Sequence, residues 1–351
     1  MATIDAAQDY DVIYTLTFPA AEGTCKIRLY RGSSTAFAGT VYYRAGTSGE
    51  WTELSVSGTD TTFPISSTTM QVAHNWNKSS NNYRTASFYG ETKLTGIAIS
   101  QKAVLSGAMG DYFMYYYARG CSNLTSLSVP DTSGLTSVGS MFMYYYARDC
   151  SNLTSLAVPD TSSLESVGDN FMGYYAYGCS KLTSLAVPDT SGLTSVGDHF
   201  MSNYAYNCSN LTSLSVPDTS GLTSVGNYFM HYYAYNCSNL TSLSVPDTSG
   251  LISVGTYFMA SYANGCTSLA KLLLPKVGWF ATHNITWGVP SGREGSLKGY
   301  VLDGDDLAGW KALTAKTKTL YLNYIRDADD VIYIPSGGRT QRRKMLAMGM
   351  L

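Results

Sequence analysis

Six cysteines, Cys121, Cys150, Cys179, Cys208, Cys237 and Cys266, recur at an unbroken interval of 29 residues. A fixed period of this size marks one supersecondary unit copied and stacked, so most of the chain reads as a repeat solenoid. The copies are nearly identical: residues 121–139 and 208–226 share the run CSNLTSLSVPDTSGLTSVG, after which they diverge. Positions that differ stand out against this constant background. The spacing also bounds the cysteine chemistry. A single repeat position with no histidine beside it is the pattern of a buried, reduced ladder, with disulfide pairing or metal binding as the alternatives. Cys25 lies outside the register and reads as a small core residue.

Numbering each unit from its cysteine as zero separates two halves. The first, such as Leu211 to Val216, closes on Pro217-Asp218 and reads as a short strand and a turn. The second, Gly226 to Asn236, has neither proline nor β-branched residues. Its positions 21, 22, 25 and 26 (Phe, Met, Tyr, Ala) stay fixed, whereas 19, 20, 23, 24, 27 and 28 vary. At about 100° per residue the two sets occupy opposite half-circles, which predicts a short helix with a buried constant face and an exposed variable one. Strands stack about 4.8 Å apart and helices about 8–10 Å apart, so the solenoid is expected to curve with its strands inside.

The expected fold class is therefore mixed α/β: a curved leucine-rich-repeat solenoid, with one short strand and one short helix per 29-residue repeat, between an N-terminal all-β domain and a C-terminal cap. Residues 1–85 lack the repeat and show strand patterning at Val12–Phe18, Lys26–Tyr30, Thr40–Arg44 and Thr52–Val56, as in a small sandwich or barrel. The solenoid is placed at 86–280, beginning in degenerate form with Glu91 in the cysteine slot. Where the repeat breaks down, Val277, Trp279 and Phe280 are expected to close the open end of the core, and a capping unit follows at 281–337, with a helix at 305–315 capped by Asp303-Gly-Asp305-Asp306 and strands at 320–325 and 331–334. Residues 338–351 form a basic, methionine-rich tail. There Arg339, Arg342, Arg343, Lys344, Met345 and Met348 are candidate docking residues for other subunits of a larger assembly.

The run Cys-Ser-Asn-Leu-Thr-Ser-Leu-Ser-Val-Pro, followed by Leu-Thr-Ser-Val-Gly, Phe and the next Cys, resembles the BspA-like class of leucine-rich repeats over about residues 91–280. The resemblance implies a curved solenoid and a surface adhesin that binds host proteins or other cells. The unit here is longer than that family's usual repeat, and the extra length falls in the tyrosine-rich second half.

Charged residues make up 14% of the chain, below the roughly 25% of an average soluble protein. With 23 basic and 25 acidic residues there is no electrostatic footprint for nucleic acid. No apolar run reaches the 18 residues of a membrane span, so membrane insertion is not expected. Nor does the amino terminus show a basic and then apolar secretory pattern. A virion or extracellular surface reached without a signal peptide is the expected location, a phage appendage in particular, with the cytoplasm as alternative.

The variable positions hold the candidate ligand-binding residues. The first copies carry Tyr112, Tyr115, Tyr116 and Arg119, then Tyr144, Tyr145 and Arg148. Asn170, Tyr174 and Tyr177 follow, then His199, Asn203 and Tyr206. Tyr228, His231, Tyr232, Tyr235 and Asn236 precede Tyr257 at the end. Tyrosine with asparagine, serine, glycine and occasional arginine is the palette of antibody paratopes. Stacked aromatics among amides also suit carbohydrate faces. Neutral drift on a solvated helix would bring in lysine and glutamate, good helix formers, and these positions contain neither. The expected partner is a cell-surface protein or carbohydrate. The competing reading is a structural or decoration subunit whose tyrosines pack on its neighbours. The opposite face, with Ser126, Ser155, Ser184, Ser213 and Ser242, is small and flat, and Asp131, Asp160, Asp189, Asp218 and Asp247 are expected to support their own turns. Only four histidines, of which the two in the variable positions (His199 and His231) do not recur in other copies, and no phosphate loop or nucleophile motif argue against an enzyme, and no cofactor or metal is expected.

Overall fold

The protein is described from a computed structural model. It covers residues 10–30, 40–54, 60–75, 85–244, 246–247, 250–259, 261–263, 265–268, 271–274, 300–302 and 332–333.

The first strands are β1 (Val12–Thr17), β2 (Thr24–Tyr30), β3 (Val41–Ala45), β4 (Thr52–Leu54), β5 (Asp60–Pro64), β6 (Thr69–His74) and β7 (Thr85–Ser87). In β1 the sequence VIYTLT buries Val12, Tyr14 and Leu16 and leaves the alternate residues outside, as a period of two requires. The solenoid adds β8 (Gly96–Gln101), β9 (Ser106–Met109), β10 (Ser126–Leu127), β11 (Gly134–Val138) and β12 (Ser166–Val167). It continues with β13 (Ser184–Leu185), β14 (Ser195–Val196), β15 (Ser213–Leu214), β16 (Ser224–Val225), β17 (Ser242–Ser244) and β18 (Ser253–Val254). Three more strands are β19 (Lys271–Leu274), β20 (Tyr300–Leu302) and β21 (Ile332–Tyr333).

One antiparallel sheet, β5-β2-β7, faces a second sheet ordered β10-β8-β1-β6-β3-β4. The second sheet changes character at β8, which is antiparallel to β1 but parallel to β10 (Ser126↔Gly96, Leu127↔Ile97). From there the repeats stack in parallel with a 29-residue offset, for example Ser184↔Ser213 in one column and Ser195↔Ser224 in another. The result is a β-solenoid of about five turns.

The expected helix does not form: among the described residues there is none, and the mixed α/β class is corrected to an all-β solenoid. Its place is taken by a ribbon of overlapping turns. In the second copy, Met141, Met143, Tyr145 and Asp149 have φ of 62°, 49°, 61° and 63°, all left-handed. The amides of Tyr144, Tyr146 and Cys150 each donate to the carbonyl three residues back, at 3.3, 3.3 and 3.1 Å. Four other amides reach the next turn: Met141, Tyr145, Ala147 and Asp149 donate to Asp169, Gly173, Tyr175 and Tyr177 at 2.6–3.0 Å. Met143 points the other way, to Phe113 at 2.8 Å. Left-handed backbone costs a non-glycine residue about 1–2 kcal/mol. Ladder bonds and the burial of the constant side chains offset that cost.

The pattern misled because this ribbon runs two residues in and two out, a period of four. That differs from a helix by only about 10° per residue, too little to separate over one segment of ten. The curvature expected from helix spacing loses its premise with the helix. The ribbon's buried Phe rings stack 5.3–5.6 Å apart from turn to turn and its buried Tyr rings 5.1–5.5 Å apart, close to strand spacing.

Inside lie the leucine columns, Phe113 and its equivalents, and the cysteines. All seven cysteines are free and buried. Five of the ladder thiols donate to the alanine carbonyl 32 residues back, from Cys150 to Ala118 through Cys266 to Ala234, at 3.0–3.1 Å. Burial pushes the Cys208 thiol up to about 12, so it stays protonated and unreactive. The buried tyrosines at position 25 anchor across the core: Tyr146, Tyr175, Tyr204 and Tyr233 donate to Ser128, Ala157, Ala186 and Ser215.

Val277, Trp279, Phe280, the 305–315 and 320–325 elements, and the tail residues Arg339, Arg342, Arg343, Lys344, Met345 and Met348 lie outside the described residues. No described helix is long and apolar enough to cross a membrane.

Candidate functional site

The ribbon turns positions 19, 20, 23, 24, 27 and 28 outward, the same positions expected from the helical count. The invariant Gly at position 18 sets its start. A Cβ on Gly168 would lie 2.5 Å from the Ser140 nitrogen and 2.6 Å from the Gly139 carbonyl carbon, so only glycine lets consecutive turns approach. Position 28 closes it, always with left-handed φ, and is Gly120, Asp149, Gly178, Asn207, Asn236 or Gly265, the residue types that tolerate that region.

The outward rings stack between turns rather than standing apart. Tyr116 lies on Tyr145 at 4.9 Å and Tyr145 on Tyr174 at 4.6 Å. Tyr177, Tyr206 and Tyr235 form a continuous file at 4.5 Å per step. His199, Tyr228 and Tyr257 form another, at 4.5 and 4.8 Å. Beside them, Tyr115 stacks on Tyr144 at 6.0 Å and meets Tyr112 edge-on, and His231 contacts Tyr232 at 3.8 Å. Neighbouring rings cover each other's faces. Within the files the stacked neighbours take up ring faces on which a sugar would otherwise stack, and Tyr257, at the end of its described file, is the most exposed.

Two guanidiniums sit within this array. Arg119 lies 4.9 Å from Tyr116, 5.0 Å from Tyr89 and 5.2 Å from Tyr145. Arg148 lies 4.5 Å from Tyr177, 4.9 Å from Tyr145 and 5.7 Å from Tyr174, and pairs with Asp149 at 3.1 Å. Tyr89 escaped the sequence reading. The one extra residue before Cys121 hides its register, and aligning Glu91 with Cys121 places Tyr89 level with Arg119.

Most of the expected residues are partly exposed here, Tyr257 at 57% and Asn236 also open. Asn203 is a correction: it is buried, together with Ser202 and Gly173. The Tyr144 ring leans over Gly173, where a Cβ would come within 2.9 Å of it, and Asn203 lies between the bulky Tyr174 and Tyr232 of adjacent turns. Gly173, Ser202 and Asn203 thus interrupt the two inner aromatic columns, while the Tyr177–Tyr206–Tyr235 file runs unbroken beside them.

Burial holds the ribbon largely uncharged. The hydroxyls of Tyr174 and Tyr206 are pushed up by desolvation, and His231 is pushed down to about 4, so it is neutral at pH 7. The strand side differs. Asp160, Asp189 and Asp218 each accept a backbone amide and a hydroxyl from the serine two residues on, which confirms their role as turn supports. No cluster of His, Cys, Asp and Glu able to hold a metal occurs among the described residues.

Residues 82–277 match the family model described as BspA type leucine rich repeat region, in six copies. No curated protein and no solved structure matches the chain.

Proposed function

The chain belongs to the BspA-type leucine-rich-repeat family, a class of protein-binding and adhesion repeats that is generally non-enzymatic, and from that premise we propose that it is a recognition protein whose tyrosine ribbon is the contact surface. The partner under this proposal is a cell-surface protein or glycan. One observation carries it: sequence variation among otherwise identical turns is concentrated on the outward positions of the ribbon, and those positions carry preordered rings. Ring stacking removes much of the rotamer freedom that a partner would otherwise have to freeze, at about 0.5–1.5 kcal/mol per side chain.

The test is binding of the labelled full chain to whole cells, beside a variant with Tyr115, Tyr145, Tyr177 and Tyr206 changed to Ser and shown to melt normally. Binding that disappears only in the variant supports the proposal. Equal binding by both proteins moves recognition elsewhere, and binding by neither favours a packing role in an assembly.

A further inference from the structure

Building on that reading, we propose that the N-terminal end of the ribbon is a carboxylate subsite for an acidic sugar, centred on Arg119. Two arginines lie in the ribbon's outer columns, and they are held differently. Arg148 has Asp149 beside it at 3.1 Å, whereas the residue after Arg119 is Gly120 and Arg119 makes no ion pair with any described residue. Its guanidinium is fixed among Tyr89, Tyr116 and Tyr145, all within 5.2 Å.

A guanidinium without a carboxylate partner offers N–H donors in a fork geometry that matches the two oxygens of a carboxylate. The three rings also hold the group in place before a ligand arrives. The far end of the ribbon offers no such charge, because His199 and His231 are both pushed down by burial and stay neutral.

Charge and polarity together favour a sugar over an acidic peptide. A peptide rich in Asp or Glu brings several carboxylates, and the ribbon has one unpaired cation among its described residues. A glycan carrying an occasional carboxylate among many hydroxyls fits a single guanidinium set among tyrosines. Because stacked neighbours take up ring faces within the files, recognition runs through this charge, and a neutral sugar lacks the main anchor.

The full chain is to be titrated with oligogalacturonate and with sialyllactose, each beside its neutral counterpart (the carboxyl-reduced oligosaccharide and lactose), and with oligoglutamate. The expected result is binding of at least one carboxylated sugar, with its neutral form and oligoglutamate weaker by roughly tenfold or more, the loss of a charge-assisted hydrogen bond. Arg119→Gln should lose the same factor, and Lys181→Gln, which removes an exposed cation outside the ribbon, should lose nothing. Equal affinity for the neutral sugar, tighter binding of oligoglutamate, an unaffected Arg119→Gln variant, or no sugar binding would each overturn the subsite. Cell binding separates the two levels: a chain that still binds cells through its tyrosines but ignores acidic sugars refutes only the subsite, whereas one that binds neither refutes both.

Discussion

On the strand side of each turn, hydroxyls are spent on the protein itself. Thr132, Thr161, Thr190 and Thr219 are buried and donate to the carbonyls of Asp160, Asp189, Asp218 and Asp247 in the next turn. Exposed Thr125, Thr212 and Thr223 donate to the backbone of the previous turn. On the ribbon side the backbone satisfies itself from turn to turn, and the outward side chains are held mainly by stacking. The first side has a job at nearly every position and scarcely varies. The second is ordered by its backbone and is free to vary in what it displays. A diversified contact surface suits that division: apart from position 19, where the side chains of Asp111, Asp169, Asp198 and Asn227 accept the amides of Ser140, Asp198, Asn227 and Thr256, the backbone amides that bond between ribbon turns donate to backbone carbonyls.

The sharpest way to break the comparison is to disturb what the ribbon holds constant. Phe171→Ala should cost about 3–5 kcal/mol in urea unfolding, the usual effect of truncating a buried ring, while Tyr177→Ser on the outer face should cost under about 1 kcal/mol. Similar losses from both would mean that the outer rings are core. On the strand side, Thr190→Val keeps the shape and removes one buried hydrogen bond, for an expected loss of about 1–2 kcal/mol; a neutral result would deny that these hydroxyls tie the turns together.

A smaller effect tests the backbone. At Asn170, where φ is 60°, Gly should be more stable than Ala by about 1 kcal/mol. In a helix the order reverses, because there Gly is the poorer residue. The smallest effect is a pH dependence. His231 has a folded value near 4 against 6.5 in the unfolded chain, so the unfolded state gains the proton first. Its contribution to stability is intact above about 6.5 and is lost as pH falls toward 4. The ring is half exposed, so the slope should amount to less than about 1 kcal/mol. Urea midpoints at pH 7, 5.5 and 4.5 should spread less for His231→Asn than for the natural chain.

Much of this was legible in the sequence. The cysteine register gave the stacking, and the constancy of Phe, Met, Tyr and Ala gave the inward face. The backbone was not legible from periodicity, because two-in, two-out and helical patterns coincide over ten residues. A second signal was present: an invariant glycine opening the segment, and only Gly, Asn or Asp closing it, with φ of 57–78° in the structure. Asn203 was misplaced because its burial comes from its neighbours' bulk across turns, which no within-turn pattern encodes. Tyr89 was missed through a single-residue shift in the first repeat.

The most direct test places one thiol on each side, since the natural cysteines are buried and silent toward maleimide. Asp169→Cys reports from the exposed start of the ribbon and Thr183→Cys from the exposed strand side, in adjacent turns. With the protein bound to cells, labelling at position 169 should slow severalfold while labelling at position 183 keeps its free rate. Protection at position 183 with an unchanged rate at 169 would contradict the account and make the strand side the surface that meets the partner.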